Sequence, residues 1–281
     1  MSNNSRNEVV RMLILETDEP HPDTVATRGR FGDILGNLFA KAGREHNPPL
    51  GIETDMHYVV EDGSKDAGHV PTIEEIPKGT TAILITGSMY DAHGDDEWIL
   101  KLVKLLRALW HERPQMRFSG ICFGHQLLCR MLGGTVEPHP ENDWELAHTK
   151  IELTEIGRRV FRTEEPSLHL HQMHQDQVTS APSAQTTDLL DLKDDVHIWG
   201  RTEHTFVQGV YLRDKLFTSQ GHLGFDEKMV KRQVDMRKAN GVIEDSDFAE
   251  ERKETAELEH DGLIVAAAIL RFFHGEDHGI Y

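Results

Sequence analysis

Met116-Arg117-Phe118-Ser119-Gly120-Ile121-Cys122-Phe123-Gly124-His125-Gln126-Leu127-Leu128-Cys129-Arg130-Met131-Leu132 is the stretch on which the fold turns. An apolar-rich run over 116–121 and a second over 127–132 are joined by a Gly-x-Cys-x-Gly turn. The setting reads strand, sharp turn, helix, which is the cysteine form of a nucleophile elbow. The glycines Gly120 and Gly124 leave room for a strained backbone that pushes the Cys122 side chain out above the strand ends. Amides at a helix start lower the pKa of a thiol and offer donors to an oxyanion. A buried structural cysteine is the competing reading. The two glycines in a strand-to-helix context favour the nucleophile. Cys129, on the following helix, is expected to face the core.

Outward from the elbow, the N-terminal half alternates strands and helices. Residues 9–15 form a continuous apolar run suited to a buried parallel strand. Phe31, Ile34, Leu35, Leu38 and Phe39 recur at helical spacing, with Gly43 as the expected stop. Strands follow at 56–60 and at 82–85, the latter ending in Thr86-Gly87-Ser88, and an amphipathic helix covers 98–110. This alternation implies a three-layer α/β domain with a mostly parallel central sheet and both faces covered. Ligands then bind beyond the carboxyl ends of the strands, where Glu16, Gly87, Ser88 and Cys122 fall.

After Gly134 the pattern changes to short runs with few helices, at 149–153, 169–172 and 206–212, which read as a β-rich addition at one sheet edge. Residues 237–261 are charged and poor in apolar positions, an exposed segment, and 263–273 form a last apolar helix. One domain is expected over 8–273, with flexible termini at 1–7 and 274–281 and loops at 20–27 and 63–68 rimming the site.

The base for Cys122 is expected about a hundred residues on. Residues 215–220 read as a short strand ending in Gly221-His222, so one of 18 histidines sits at a strand end where it can meet the thiol. Such pairs are neighbours in the fold and not in the chain. His169, His171 and His174 with Asp176 bring a metal to mind, yet no second ligand pair follows, and no metal is expected. Gly29, Gly32 and Gly36 lack the Gly-Lys-Ser/Thr ending of a phosphate loop, so no nucleotide site is implied.

The 281 residues suffice for a sizeable core, and 38% hydrophobic with 28% charged residues fits a globular chain. A net charge of -18 leaves no basic stripe for nucleic acid. No apolar stretch is long enough to span a membrane, no signal core begins the chain, and two cysteines give no disulfide framework. A cytoplasmic location is the expectation.

Gly-Ile-Cys-Phe-Gly-His-Gln followed by Gln-Gly-His resembles the class I glutamine amidotransferase family, whose signatures run G-x-C-x-G-x-Q and H-P-E. More narrowly, the chain is similar to the stand-alone fungal amidotransferase-like and plant γ-glutamyl peptidase-like members. Leu15-Glu16-Thr17-Asp18, Ile85-Thr86-Gly87-Ser88, Trp144-Glu145-Leu146 and Gln172-Met173-His174-Gln175-Asp176 extend the resemblance over most of the chain. It implies Cys122 as nucleophile, His222 as base, and the amides of Gly87 and Phe123 as oxyanion donors. Ser88, Gln126, His174, Gln175 and Asp176 are the implied contacts to the glutamyl group. In one place the pattern departs. The family's His-Pro-Glu is His222-Leu223-Gly224 here, so the glutamate that would orient the imidazole is a glycine. Asp226 and Glu227 lie just beyond and are the available orienters, unless they cap the helix that starts there.

The reading is cysteine-dependent hydrolysis or transfer at a γ-glutamyl amide, through a γ-glutamyl thioester and without a cofactor. Two alternatives stand beside it. One is a glutaminase that supplies ammonia to a separate synthetase chain, in the setting of a natural-product pathway. The other is a non-catalytic binding protein, for which Gly224 is the argument.

Overall fold

Val10, Met12 and Ile14 face one side of a sheet while Leu13 and Leu15 face the other, so β1 (Val10–Glu16) is apolar on both faces. That is what a central strand of a covered parallel sheet requires. The computed structural model describes residues 9–62, 68–239, 260–277 and 279–280. After β1 come α1 (Pro22–Arg28), α2 (Phe31–Glu45), β2 (Ile52–Tyr58), β3 (Ala82–Ile85), α3 (Glu97–Glu112), β4 (Arg117–Ile121) and α4 (Phe123–Met131). The second half holds β5 (Thr135–Pro138), β6 (Glu145–Leu153), α5 (Glu155–Phe161), β7 (Ser167–His174), β8 (Asp176–Ser180), β9 (His197–Arg201), β10 (Gly209–Leu212) and β11 (Leu216–Ser219). It ends with α6 (Glu227–Ala239) and α7 (Gly262–Phe273).

One nine-stranded sheet runs β2-β1-β3-β4-β11-β10-β9-β6-β7. The five strands from β2 to β11 pair in parallel, and β10, β9, β6 and β7 continue the sheet antiparallel. The expected parallel core with a β addition at one edge is therefore present. A separate antiparallel pair, β5 with β8, lies beside it. Helices α3 and α4 cover one face through Trp98, Leu102, Leu106, Leu127 and Leu128. Helices α2, α5 and α7 cover the other through Phe39, Phe161, Ile269 and Phe272. Helix α6 packs by Met229, Val230 and Val234 on Leu146 and Met173 of the edge hairpin.

The structure corrects several expectations. The strand placed at 56–60 runs instead over Ile52–Tyr58, an edge strand whose residues are half-buried or exposed and lack an apolar signature. Helix α2 continues past Gly43 to Glu45. The loop expected at 20–27 is largely helix α1, started by Pro22 in its first turn and capped by the His21 side chain. Gly68 is described, but the rest of the loop expected at 63–68 lies outside the described residues, as do 1–7 and most of the charged segment at 237–261. Residues after α7 are packed rather than loose: the Tyr211 hydroxyl donates to the buried Asp277, Arg162 donates to the Glu276 carbonyl, and Ile280 joins the core.

Candidate active site

Strand β4 delivers Cys122 to the N-cap of α4 with φ 53 and ψ -109, a left-handed backbone in a residue that is not glycine. Such a conformation costs on the order of 1–3 kcal/mol and persists where the surroundings enforce it. Here the enforcement comes from the two glycines. A Cβ on Gly120 would run into the carbonyl group of Gly124, and one on Gly124 into the carbonyl of Ile85. The Cys122 amide donates to the Ser219 carbonyl at 2.8 Å, tying the elbow to the strand that leads to His222.

His222 follows β11 at the same end of the sheet. Its amide donates to the His171 carbonyl at 2.8 Å. Its ring lies on that of Phe225, with centroids 3.9 Å apart and planes inclined by 12°. A Cβ built on Gly87 would stand 2.9 Å from His222 Cε1 and 3.5 Å from Cys122 Cβ. Gly87, Cys122 and His222 thus converge on one point. The amide of Phe123 opens α4 and has no intrahelical acceptor, while Gly124 donates to the Thr86 carbonyl at 3.2 Å.

The Gly87 loop is strapped to the end of β1. The Thr17 hydroxyl lies 3.1 Å from the carbonyl oxygens of both Thr86 and Gly87. Ser88 Oγ donates to the Thr17 carbonyl at 2.8 Å, and the Met89 amide donates to the Asp18 carboxylate at 2.9 Å. Ser88 therefore lines the site with its hydroxyl engaged in the turn.

A cleft of ≈160 Å³ opens over Cys122, lined also by Ser88, Gln126, Trp144, His174 and Asp176. Gln175 belongs to the same wall, its amide donating to the Asn142 carbonyl at 2.6 Å. Every residue expected to contact the glutamyl group lies at this cleft, but the side chains of four, Ser88, Gln126, His174 and Gln175, are hydrogen-bonded within the protein. Gln126 Nε2 donates to the Asp176 carbonyl at 2.8 Å and to Gln220 Oε1 at 3.0 Å. His174 faces the Glu145 carboxylate at 2.8 Å with Nε2 and the Asp176 carbonyl at 3.0 Å with Nδ1. Both ring nitrogens thus face oxygens, the Glu145 carboxylate on one side and the Asp176 carbonyl on the other. Burial pushes the Glu145 carboxyl up, but the hydrogen bond and charge of His174 and the hydroxyl of Thr202 outweigh it, leaving the group below its ordinary value. Asp176 is the member with an ionisable group left for a ligand. Burial raises its carboxyl above the usual range, opposed by His93 at 3.4 Å.

The Asp226 carboxylate accepts from the Met229 amide at 2.9 Å, capping α6, and from Arg28 at 2.7 Å, and Glu227 is exposed in the first turn. Glu16 turns to the start of α2, accepting from the Gly32 amide at 2.9 Å, and burial raises its carboxyl. Cys129 lies 3.7 Å from His125 Nδ1 in a fully buried pair. Burial drives that thiol up and that imidazole down to about 3, so the pair cannot form a thiolate. His171 is held at about 4 by burial and by His260 and His148 beside it. Among the described residues no group of three or more ligating side chains could hold a metal, and no helix is long and apolar enough to cross a membrane.

Sequence reasoning missed Thr17 and Asp18 as the strap, Glu145 as the partner of His174, His93 as the partner of Asp176, and Phe225. Asp18 and Glu145 lay within quoted motifs. His93 carried no local signal, because its partner Asp176 is supplied by a distant strand, whereas Phe225 stacks on His222 of its own turn.

Comparison with known proteins agrees with this geometry. The profile of the family described as glutamine amidotransferase class-I matches residues 69–265. A Schizosaccharomyces pombe protein named as glutamine amidotransferase-like is 27% identical over 265 residues, covering 93% of this chain and 97% of that protein. Gamma-glutamyl peptidase 3 of Arabidopsis thaliana is 29% identical over 251 residues, covering 88% of this chain and 89% of its own length. Among solved structures, a glutamine amidotransferase from Thermotoga maritima superposes with a TM-score of 0.59 at 20% identity, over 94% of this chain and 98% of that one, a likeness of fold. An elbow cysteine, a histidine converging on it and a match across more than half the chain lead to one assignment: the protein belongs to the class I glutamine amidotransferase family.

Proposed function

We propose that the chain cleaves γ-glutamyl amides, glutamine or a γ-glutamyl conjugate, by way of a thioester on Cys122. The observation that carries the reading is the convergence of Gly87 and His222 on Cys122, which lines the cleft. The thiol proton passes to His222, and the Cys122 sulfur attacks the side-chain carbonyl carbon. The oxyanion so formed meets the amides of Gly87 and Phe123, the first fixed by the Thr17 strap and the second by the helix start. On collapse, the C–N bond breaks and the imidazolium gives its proton to the leaving amine. Water or an acceptor amine, deprotonated by His222, then attacks the thioester and returns the proton to the thiol. Asp176 suits the α-ammonium of the glutamyl group. The steps call for no cofactor.

The peptidase names borne by relatives favour a conjugate as substrate. The test is hydrolysis of glutamine and of γ-glutamyl dipeptides by the wild type and by Cys122→Ser. Turnover by the wild type alone supports the reading, and turnover only on adding a synthetase chain would make the protein an ammonia supplier. An equally active Cys122→Ser would remove Cys122 from the mechanism.

A further inference from the structure

We infer that Phe225 is a positioning residue for His222, whose ring sets the plane of the imidazole and favours its protonated form. The inference deepens the reading above and rests on it. Two planar rings with centroids 3.9 Å apart and planes within 12° are in full face contact. Phe225 is itself clamped, because Phe31 stacks on it at 6.2 Å and 20°. The backbone on either side is pinned as well. His222 is bound through its amide to His171, and Asp226 caps α6 while pairing with Arg28.

A stack occupies the face of the imidazole and not its edge. A Cβ built on Gly87 would stand 2.9 Å from Cε1 on that edge. The stack fixes the plane of the ring. The face of a phenyl ring is the negative pole of its quadrupole, so it attracts the imidazolium more than the neutral ring. Stabilising the imidazolium stabilises the thiolate–imidazolium pair and the proton-loaded state that precedes departure of the amine. In the family a glutamate follows the histidine by two residues, and this chain has Gly224 there. Phe225, the next residue, contributes by ring contact. The expected effect is smaller than that of a triad carboxylate, about three- to thirty-fold in rate.

The experiment compares the wild type with Phe225→Leu, Phe225→Tyr and Phe31→Leu. Each is measured for thermal stability, for iodoacetamide alkylation of Cys122 across about pH 5 to 9, and for kcat and KM on a γ-glutamyl dipeptide. Phe225→Leu should move the midpoint of the alkylation rise to higher pH by about half a unit or more. It should lower kcat by about three- to thirty-fold with KM little changed. Phe225→Tyr, which keeps the aromatic face, should restore both. Phe31→Leu removes a ring from the same stack without touching the imidazole and should keep the wild-type midpoint. If Phe225→Leu does not fold, Phe225→Met, which keeps volume without a ring, carries the same expectation. A folded Leu or Met variant with the wild-type midpoint and kcat overturns the inference, as does a Phe31→Leu shift equal to that at Phe225. A wild type whose Cys122 resists alkylation throughout would instead overturn the functional reading, and the inference with it.

Discussion

Gly224 is packed against Ile34 of α2, whose Cγ2 would stand 2.8 Å from a Cβ built on the glycine. The space beyond is a mostly apolar pocket lined by Phe31, Ile34, Leu35, Phe225 and Met229, with His222 and Gly87 also in its wall. The position where the family carries its glutamate is therefore packed mainly against hydrocarbon here.

Gly224→Glu should accordingly fail to raise turnover. The carboxylate would enter an apolar pocket and displace Ile34, with overpacking alone costing about 1–3 kcal/mol. The obstacle is Ile34 and not the backbone, since Gly224 is absent from the positive-φ glycines. Thermal denaturation beside a turnover assay checks this. A stable variant with roughly ten-fold more activity, about 1.4 kcal/mol, would show that the glycine is a simple lesion.

Gly87→Ala should depress kcat with little loss of stability. The new methyl would press on His222 Cε1 at 2.9 Å but meet Cys122 Cβ at an ordinary 3.5 Å. An ångström of misplacement can cost on the order of a hundred-fold in rate. The paired readouts are kcat and melting temperature, and a variant that keeps the wild-type kcat would show that the imidazole does not work against Gly87.

Glu145→Gln should destabilise the fold by about 3–5 kcal/mol near neutrality, because the buried His174 ring loses its carboxylate partner. The acid's depressed pKa fixes the sign of the pH dependence. The stabilisation is present above the ordinary carboxylate range and is lost as pH falls through the depressed value. Melting curves of the two proteins should therefore converge on acidification. A gap that widens toward low pH would contradict the ion pair.

The parts of the fold that could be read from the sequence were those with two apolar faces or a strong helical stripe. Strand β3, helix α3 and helix α7 have nearly every inward position filled by Leu, Ile, Val, Ala or an aromatic. The elbow was legible because its glycines answer a local steric demand between Gly120, Gly124 and Ile85. Strand β2 and helix α1 were not, because both are exposed and α1 buries only Thr24. Strand β9 escaped notice because its pairing with β6 and β10 comes from far along the chain. In the site, Cys122, His222, Gly87 and the cleft residues were named from motifs. Their hydrogen-bond partners were not, which is why His174, Gln126 and Ser88 seemed open to a ligand. Asp226, near His222 in sequence, was offered as its orienter, and the structure shows the carboxylate capping α6 and accepting from Arg28.

The most direct test of the account is intact-mass analysis after incubation with a glutamine-analogue diazoketone. Cys129 is an internal control, since it is fully buried and its thiol is pushed away from ionisation. The account predicts a single adduct, mapped by peptide digestion to Cys122 and absent from Cys122→Ser. No adduct on the folded wild type, or one mapped to any other residue, would contradict it.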